Sequence, residues 1–173
     1  MEIVLDIIKT TLPALIVFLT VYYLFKKYIE GQLKLKAMEL KEKQTQVGTP
    51  LKFQAYERLS LFCERIAIPN LLMRLPANDM NNAQYNIALL LAIQQEYEHN
   101  ITQQVYVSAQ LWDIIKAAKD DAVNFVSIVA EKVEAKGPAA EIKNALITLS
   151  EKREVNGPDT ALLAIKKEAS IYL

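Results

Sequence analysis

Sixteen consecutive residues without a charge, Thr10 to Phe25 (TTLPALIVFLTVYYLF), constrain this chain more than any other feature. With Ile7, Ile8 and the apolar stem of Lys9 the stretch widens to about twenty residues, enough to cross a hydrocarbon core roughly 30 Å thick. A cleaved signal peptide starts basic and ends at a small-residue site. Here Glu2 and Asp6 make the start acidic, and Tyr22-Tyr23-Leu24-Phe25 leads directly into Lys26 and Lys27. A core helix of a soluble protein is rarely apolar on every face and then closed by aromatics before lysines. The expectation is an uncleaved transmembrane anchor over residues 1–28, meeting the lipid bilayer through residues 7–25. Tyr22, Tyr23, Lys26, Lys27 and Tyr28 form its expected membrane interface, where a ring has one apolar side and one wet side. Pro13 falls near one end of the run, where a helix start or kink costs least.

The lysines set an orientation. Lys26, Lys27, Lys34, Lys36, Lys41 and Lys43 follow the span, whereas only Lys9 and the amino terminus lie before it. The positive-inside rule then puts the amino terminus outside and the long C-terminal part in the cytoplasm, with the chain single-pass. Residues 29–49 continue as a charged helical stalk and linker. Within it Ile29, Leu33, Ala37 and Leu40 recur at helical spacing, a short seam through which copies could associate. Gly48, Thr49 and Pro50 punctuate the stalk, with Thr49 as an N-cap and Pro50 as first residue of the next helix.

The 123 residues from Leu51 onward suffice for one domain with its own core, and carry 13 Lys and Arg against 15 Asp and Glu, a net of −2. No basic face emerges, so nucleic acid is not an expected partner. Four glycines offer no phosphate-cradling loop, and no cofactor is expected. The single cysteine, Cys63, sits in LSLFCERI and reads as a buried, inert thiol in a reducing compartment.

Helical spacing recurs along this part. Leu51, Ala55, Leu59, Phe62 and Ile66 mark a helix from about Pro50 to Ile66, followed by a turn or two in NLLMRL between Pro69 and Pro76. Asn78 to Asn82 offers N-caps for a helix over about 83–105, whose stripe reads Leu90, Ile93, Tyr97, Ile101 and Val105. Ser108 caps the next, expected to reach Lys136 before Gly137-Pro138, with Leu111, Trp112, Ile115, Ala118, Ala122, Phe125, Val126, Val129 and Val133 inward. Ile142, Ala145, Leu146 and Leu149 mark a fifth helix, and Leu162, Ile165, Ala169 and Tyr172 the last. Nothing alternates with period two. The fold class is all-α: a transmembrane helix continuing into a stalk, then an antiparallel bundle of about five helices over residues 50–173.

Few residues invite chemistry. Glu96-Tyr97-Glu98-His99 has the Glu-x-x-His spacing that supplies half of a carboxylate-bridged di-iron site, but His99 is the sole histidine. At 100° per residue His99 is rotated about 160° from the centre of the expected stripe, facing away from the core. A metal site is therefore the least favoured reading, and Glu96, Glu98, His99 and Asn100 stand instead as a possible interaction surface. Glu57, Arg58, Glu64 and Arg65 read as surface ion pairs, Trp112 as a core anchor and Ser108 as a cap. No catalytic set is present.

The blocks QAYERLSLFCERI, PNLLMRL and QEYEHNITQQVYVSAQLW, with Leu12-Pro13 in the anchor, resemble a family of single-pass, membrane-anchored helical proteins of unknown function from Bacteroidota-type bacteria. The resemblance implies the same anchored architecture and carries no activity with it. The sequence thus points to a non-enzymatic, membrane-tethered interaction or scaffolding module with a protein partner. A small-ligand or lipid-binding sensor is the alternative.

Overall fold

Long runs of Leu, Ala, Lys, Glu and Gln, with glycine and proline confined to a few positions, make helix the default along most of this sequence. The structure, a computed structural model, describes the backbone of residues 2–172 and, along the first helix, all side chains except 2–8, 10, 14, 41 and 43–47. Glu2, Asp6, Ile7, Ile8, Thr10, Lys41 and Lys43, invoked above for the span and its flanks, thus have side chains outside the described residues. Six α-helices and one 3₁₀ turn account for the ordered elements, and no strand occurs among the described residues. The chain divides into two compact units, residues 1–48 and 49–173.

Helix α1 spans Glu2–Ile66. Within the first unit its segment Thr11–Leu40 is long and apolar enough to cross a membrane, and none of it is covered by protein. Phe18, Tyr23 and Phe25 are all about two-thirds exposed. Thr20 donates its hydroxyl to the Ile16 carbonyl at 2.8 Å, so even this polar side chain is satisfied within the helix. The expected break at Gly48-Thr49-Pro50 does not occur: Thr49 is no N-cap and Pro50 lies inside α1. A proline removes one backbone donor, and here the helix runs on through that loss and through Gly48 and Thr49 before it.

In the second unit, residues 55–66 of α1 bury Ala55, Tyr56, Leu59, Phe62, Cys63 and Ile66, the stripe the spacing predicts from Ala55 onward, whereas Leu51, expected at its start, is exposed. Helix α2 (Ile68–Arg74) opens on Pro69 and lays Ile68, Leu71 and Leu72 into the same core. Helix α3 (Asn82–Asn100) begins in a capping box, Asn81 Oδ1 accepting from Gln84 N while Gln84 returns the bond. Its buried face is Tyr85, Leu89 and Ile93 together with three polar residues, Asn82, Glu96 and Asn100. This corrects the expected stripe: Ile101 and Val105 are exposed and belong to a 3₁₀ turn, Ile101–Val105, rather than to the helix. Polar side chains on the core face hid the true direction of burial from the apolar pattern.

Helix α4 (Ala109–Ala130) is capped by Ser108 Oγ, which accepts from Leu111 N, and packs chiefly on α3 and α6. It buries Leu111, Trp112, Ile115, Ala118, Ala122, Val126 and Val129, while Phe125 and Val133 are only partly covered. It stops six residues short of the expected end at Lys136, for a tertiary reason. The orphan N–H groups at the start of α3 take the carbonyls beyond it: Asn82 N donates to Gly137 O and Ala83 N to Ala135 O. The buried Asn82 side chain adds bonds to Glu134 O and Glu141 Oε2, and accepts from Ile142 N. Gly137 is required there, because a Cβ would lie 2.9 Å from the Asn82 amide nitrogen.

Helices α5 (Ala139–Glu151) and α6 (Gly157–Ala169) complete the bundle, burying Ile142 and Leu146, and Ala161 and Ile165. Asn156 caps α6, and Asp121 of α4 accepts Gly157 N at 2.8 Å, fixing that end. Tyr97 stacks on Trp112 with ring centroids 5.8 Å apart, and Trp112 is buried as a core anchor.

Candidate functional site

The polar residues on the inner face of α3 need partners, since an unpaired buried carboxylate is very costly. Glu96, 8 % exposed, finds two. Arg65 of α1 donates to Oε2 at 3.2 Å and Arg74 of α2 to Oε1 at 2.5 Å, so one carboxylate ties three helices together. Arg74 also donates to the Arg65 carbonyl. Asn100 is buried too, its amide donating back to the Glu96 carbonyl at 2.8 Å. One turn away, Arg58 Nη2 lies 3.0 Å from His99 Nε2. Because guanidinium only donates, Nε2 is the acceptor in this pair.

These contacts divide the four residues expected to form one surface. Glu98 and His99 are exposed, Glu98 accepting from Gln94 at 2.8 Å, but Glu96 and Asn100 face inward and present no surface. The corrected register of α3 is the reason. The expected surface ion pairs also change: Arg65 serves the buried Glu96, Arg58 pairs with His99, and Glu64 accepts from Asn70. A di-iron-like role for Glu96 and His99 meets a local obstacle, since the carboxylate is held by two arginines and the imidazole by a third. No group of three or more His, Cys, Asp and Glu suited to a metal occurs among the described residues. Beside the arginines is a cavity of about 120 Å³, lined by Arg58, Leu61, Phe62, Arg65, Glu96, His99 and Asn100. The sequence did hold a signal for it: Arg58 and Arg65 stand seven residues apart, on one face of α1.

A second, larger feature is an open cleft of about 660 Å³ between the 3₁₀ turn, the start of α4 and the end of α6. Val105, Val107, Leu111, Ile114 and Ile171 give it apolar walls, with Lys52 and Lys167 also lining it. At its side Glu168 accepts from Ser108 N at 3.0 Å and from Tyr56 OH at 3.1 Å, and also takes the Ser108 hydroxyl. Burial, reinforced by the charge of Glu168, raises the Tyr56 pKa. Burial likewise pushes the Cys63 thiol up to about 12, so this cysteine is protonated and inert at neutral pH.

In the first unit, Tyr22, Tyr23, Lys26, Lys27 and Tyr28 fall within two turns of α1 and are all exposed. Ile29, Leu33 and Leu40 of the stalk seam are exposed as well.

Fold and site together define an all-α bundle protein with one N-terminal helix able, by length and composition, to cross a membrane. The chain belongs to a family of unknown function, DUF7935, whose sequence profile matches residues 2–172. No curated protein and no solved structure matches it.

Proposed function

We propose that this protein is a membrane-tethered interaction module, non-enzymatic, whose bundle recruits or organises a protein partner. On this reading residues 7–25 lie in a bacterial inner membrane, and the lysine-rich flank holds the bundle on the cytoplasmic side. One observation carries it. Two arginines hold a single carboxylate and a third sits on the nearby histidine, leaving a surplus of positive charge beside a small cavity that an exposed leucine lines. Arginine anchors of this kind dominate protein–protein interfaces more often than they perform chemistry. The remaining inward carboxylates are held by structural donors: Glu168 by Ser108 and Tyr56, and Asp121 by Arg153 and Gly157 N.

The test is crosslinking of the full-length protein in native membranes, followed by mass spectrometry of what co-purifies. A reproducible protein partner supports the reading; migration of the chain alone, without crosslinks to any other protein, ends it. A second reading, a lipid or small-ligand sensor, is favoured by the apolar walls of the 660 Å³ cleft, a volume typical of ligand sites. Lipid co-purifying in stoichiometric amount, and lost on Leu111→Lys, would select it over the first. Self-crosslinks confined to Ile29, Leu33, Ala37 and Leu40 would instead mark a homo-oligomer joined through the stalk.

A further inference from the structure

Arg58 has a donor geometry that nothing within the bundle uses fully. Its partner is the acceptor nitrogen of His99, a contact that supplies no negative charge, and among the described residues no carboxylate lies within ion-pair distance of it. Arg65 and Arg74 together exceed Glu96 by one positive charge, so with Arg58 the cluster holds three cations and one anion. An exposed apolar side chain belongs to the same region: Leu61 lines the cavity and is half exposed.

Resting on the interaction reading above, we propose that this face receives an acidic, apolar segment of the partner protein, a carboxylate pairing with Arg58 while a neighbouring apolar side chain covers Leu61. Charge complementarity decides the sign of the partner. The planar fork of a guanidinium matches a carboxylate in two-point contact, which a lysine ammonium does not. Leu61 decides against a bare inorganic anion, because contact with it buries apolar area that phosphate lacks. Glu96 is the counter-charge that holds Arg65 and Arg74 in place, so it positions the site without touching the partner.

His99, the sole histidine, reports on this cavity without ambiguity. The full chain, labelled with ¹⁵N-histidine and reconstituted in nanodiscs of neutral lipid, is titrated with N-acetyl-Glu-Leu-Glu-Leu-Glu-Leu-amide. Saturable shifts of the imidazole signals are expected, and the Gln-for-Glu version of the peptide should bind about tenfold more weakly or worse. Arg58→Gln should abolish the response and Arg58→Lys should weaken it. Absence of a shift, equal shifts from both peptides, or an equal response to inorganic phosphate at the same concentration would overturn the proposal. Failure here is separable from failure of the interaction reading. If wild type and Arg58→Gln crosslink the same partner in membranes equally, the module stands and this site does not.

Discussion

Glu168 and Glu96 both reach across helices with their carboxylates, but by opposite chemistry. Glu168 is met by a backbone N–H and two hydroxyls at the capped start of α4, where the helix dipole favours a negative charge. Glu96 is met by two arginines, with a third nearby on a histidine. In the first cluster donors and acceptor balance and the job is closed. In the second the cations outnumber the anion, and the excess faces outward. A carboxylate that reaches across helices therefore marks a joint when neutral groups satisfy it, and a candidate docking point when surplus guanidinium surrounds it.

The two clusters respond differently when broken. Glu96→Ala leaves Arg65 and Arg74 facing each other without their counter-charge. Because both arginines keep access to water, the loss should be about 3 kcal/mol, the low end for a broken buried pair, read as a lowered denaturation midpoint.

Alkali should distinguish the clusters next. The native state holds Cys63 and Tyr56 protonated at pH values where the unfolded chain releases those protons. Their stabilisation is complete below the unfolded pKa values, about 8.5 for thiol and 10 for phenol, and is lost as pH rises towards the folded ones. For Cys63 the window runs from the unfolded value up to about 12. Its slope is about 1.4 kcal/mol per pH unit. Stabilities from denaturant midpoints at pH 7, 9 and 10.5 should fall by about 3 kcal/mol over that range, and Cys63→Ala should flatten the slope. The Cys63 contribution is lost first, and that of Tyr56, whose unfolded value is higher, only above about pH 10.

Smaller still, Glu168→Ala should cost about 1 to 2 kcal/mol, the loss of hydrogen bonds to a charged acceptor on a half-buried site. Arg58→Gln should change stability by about 0.5 kcal/mol or less, checked by the same midpoint, because Arg58 supports no joint. A large loss in Arg58→Gln would erase the contrast between the two clusters.

Much of the bundle was legible because its signals are local. Ser108 reads as a cap from its position before an apolar period, the asparagines before α3 announce a start, and the α1 stripe from Ala55 to Ile66 keeps strict helical spacing. Trp112 and Cys63 are buried as their surroundings imply. What escaped was long-range. The inward face of α3 carries Asn82, Glu96 and Asn100, whose partners lie far away in sequence, so polarity pointed the wrong way. Helix α4 ends early because carbonyls just beyond it are claimed by α3. Pro50 lies within a helix that runs on through the missing bond. Of Glu96, Glu98, His99 and Asn100, the first and last turn inward, and the arginines that hold Glu96 lie 31 and 22 residues off.

The bond between Tyr56 and Glu168 joins residues 112 apart, and that separation has a meaning in time. At ordinary translation rates the ribosome needs on the order of ten seconds to add that many residues. For that interval the apolar face from Ala55 to Ile66 exists before α6 is made to close over its side of the core. A nascent chain of this kind therefore presents that apolar face to its surroundings for seconds before the fold can cover it.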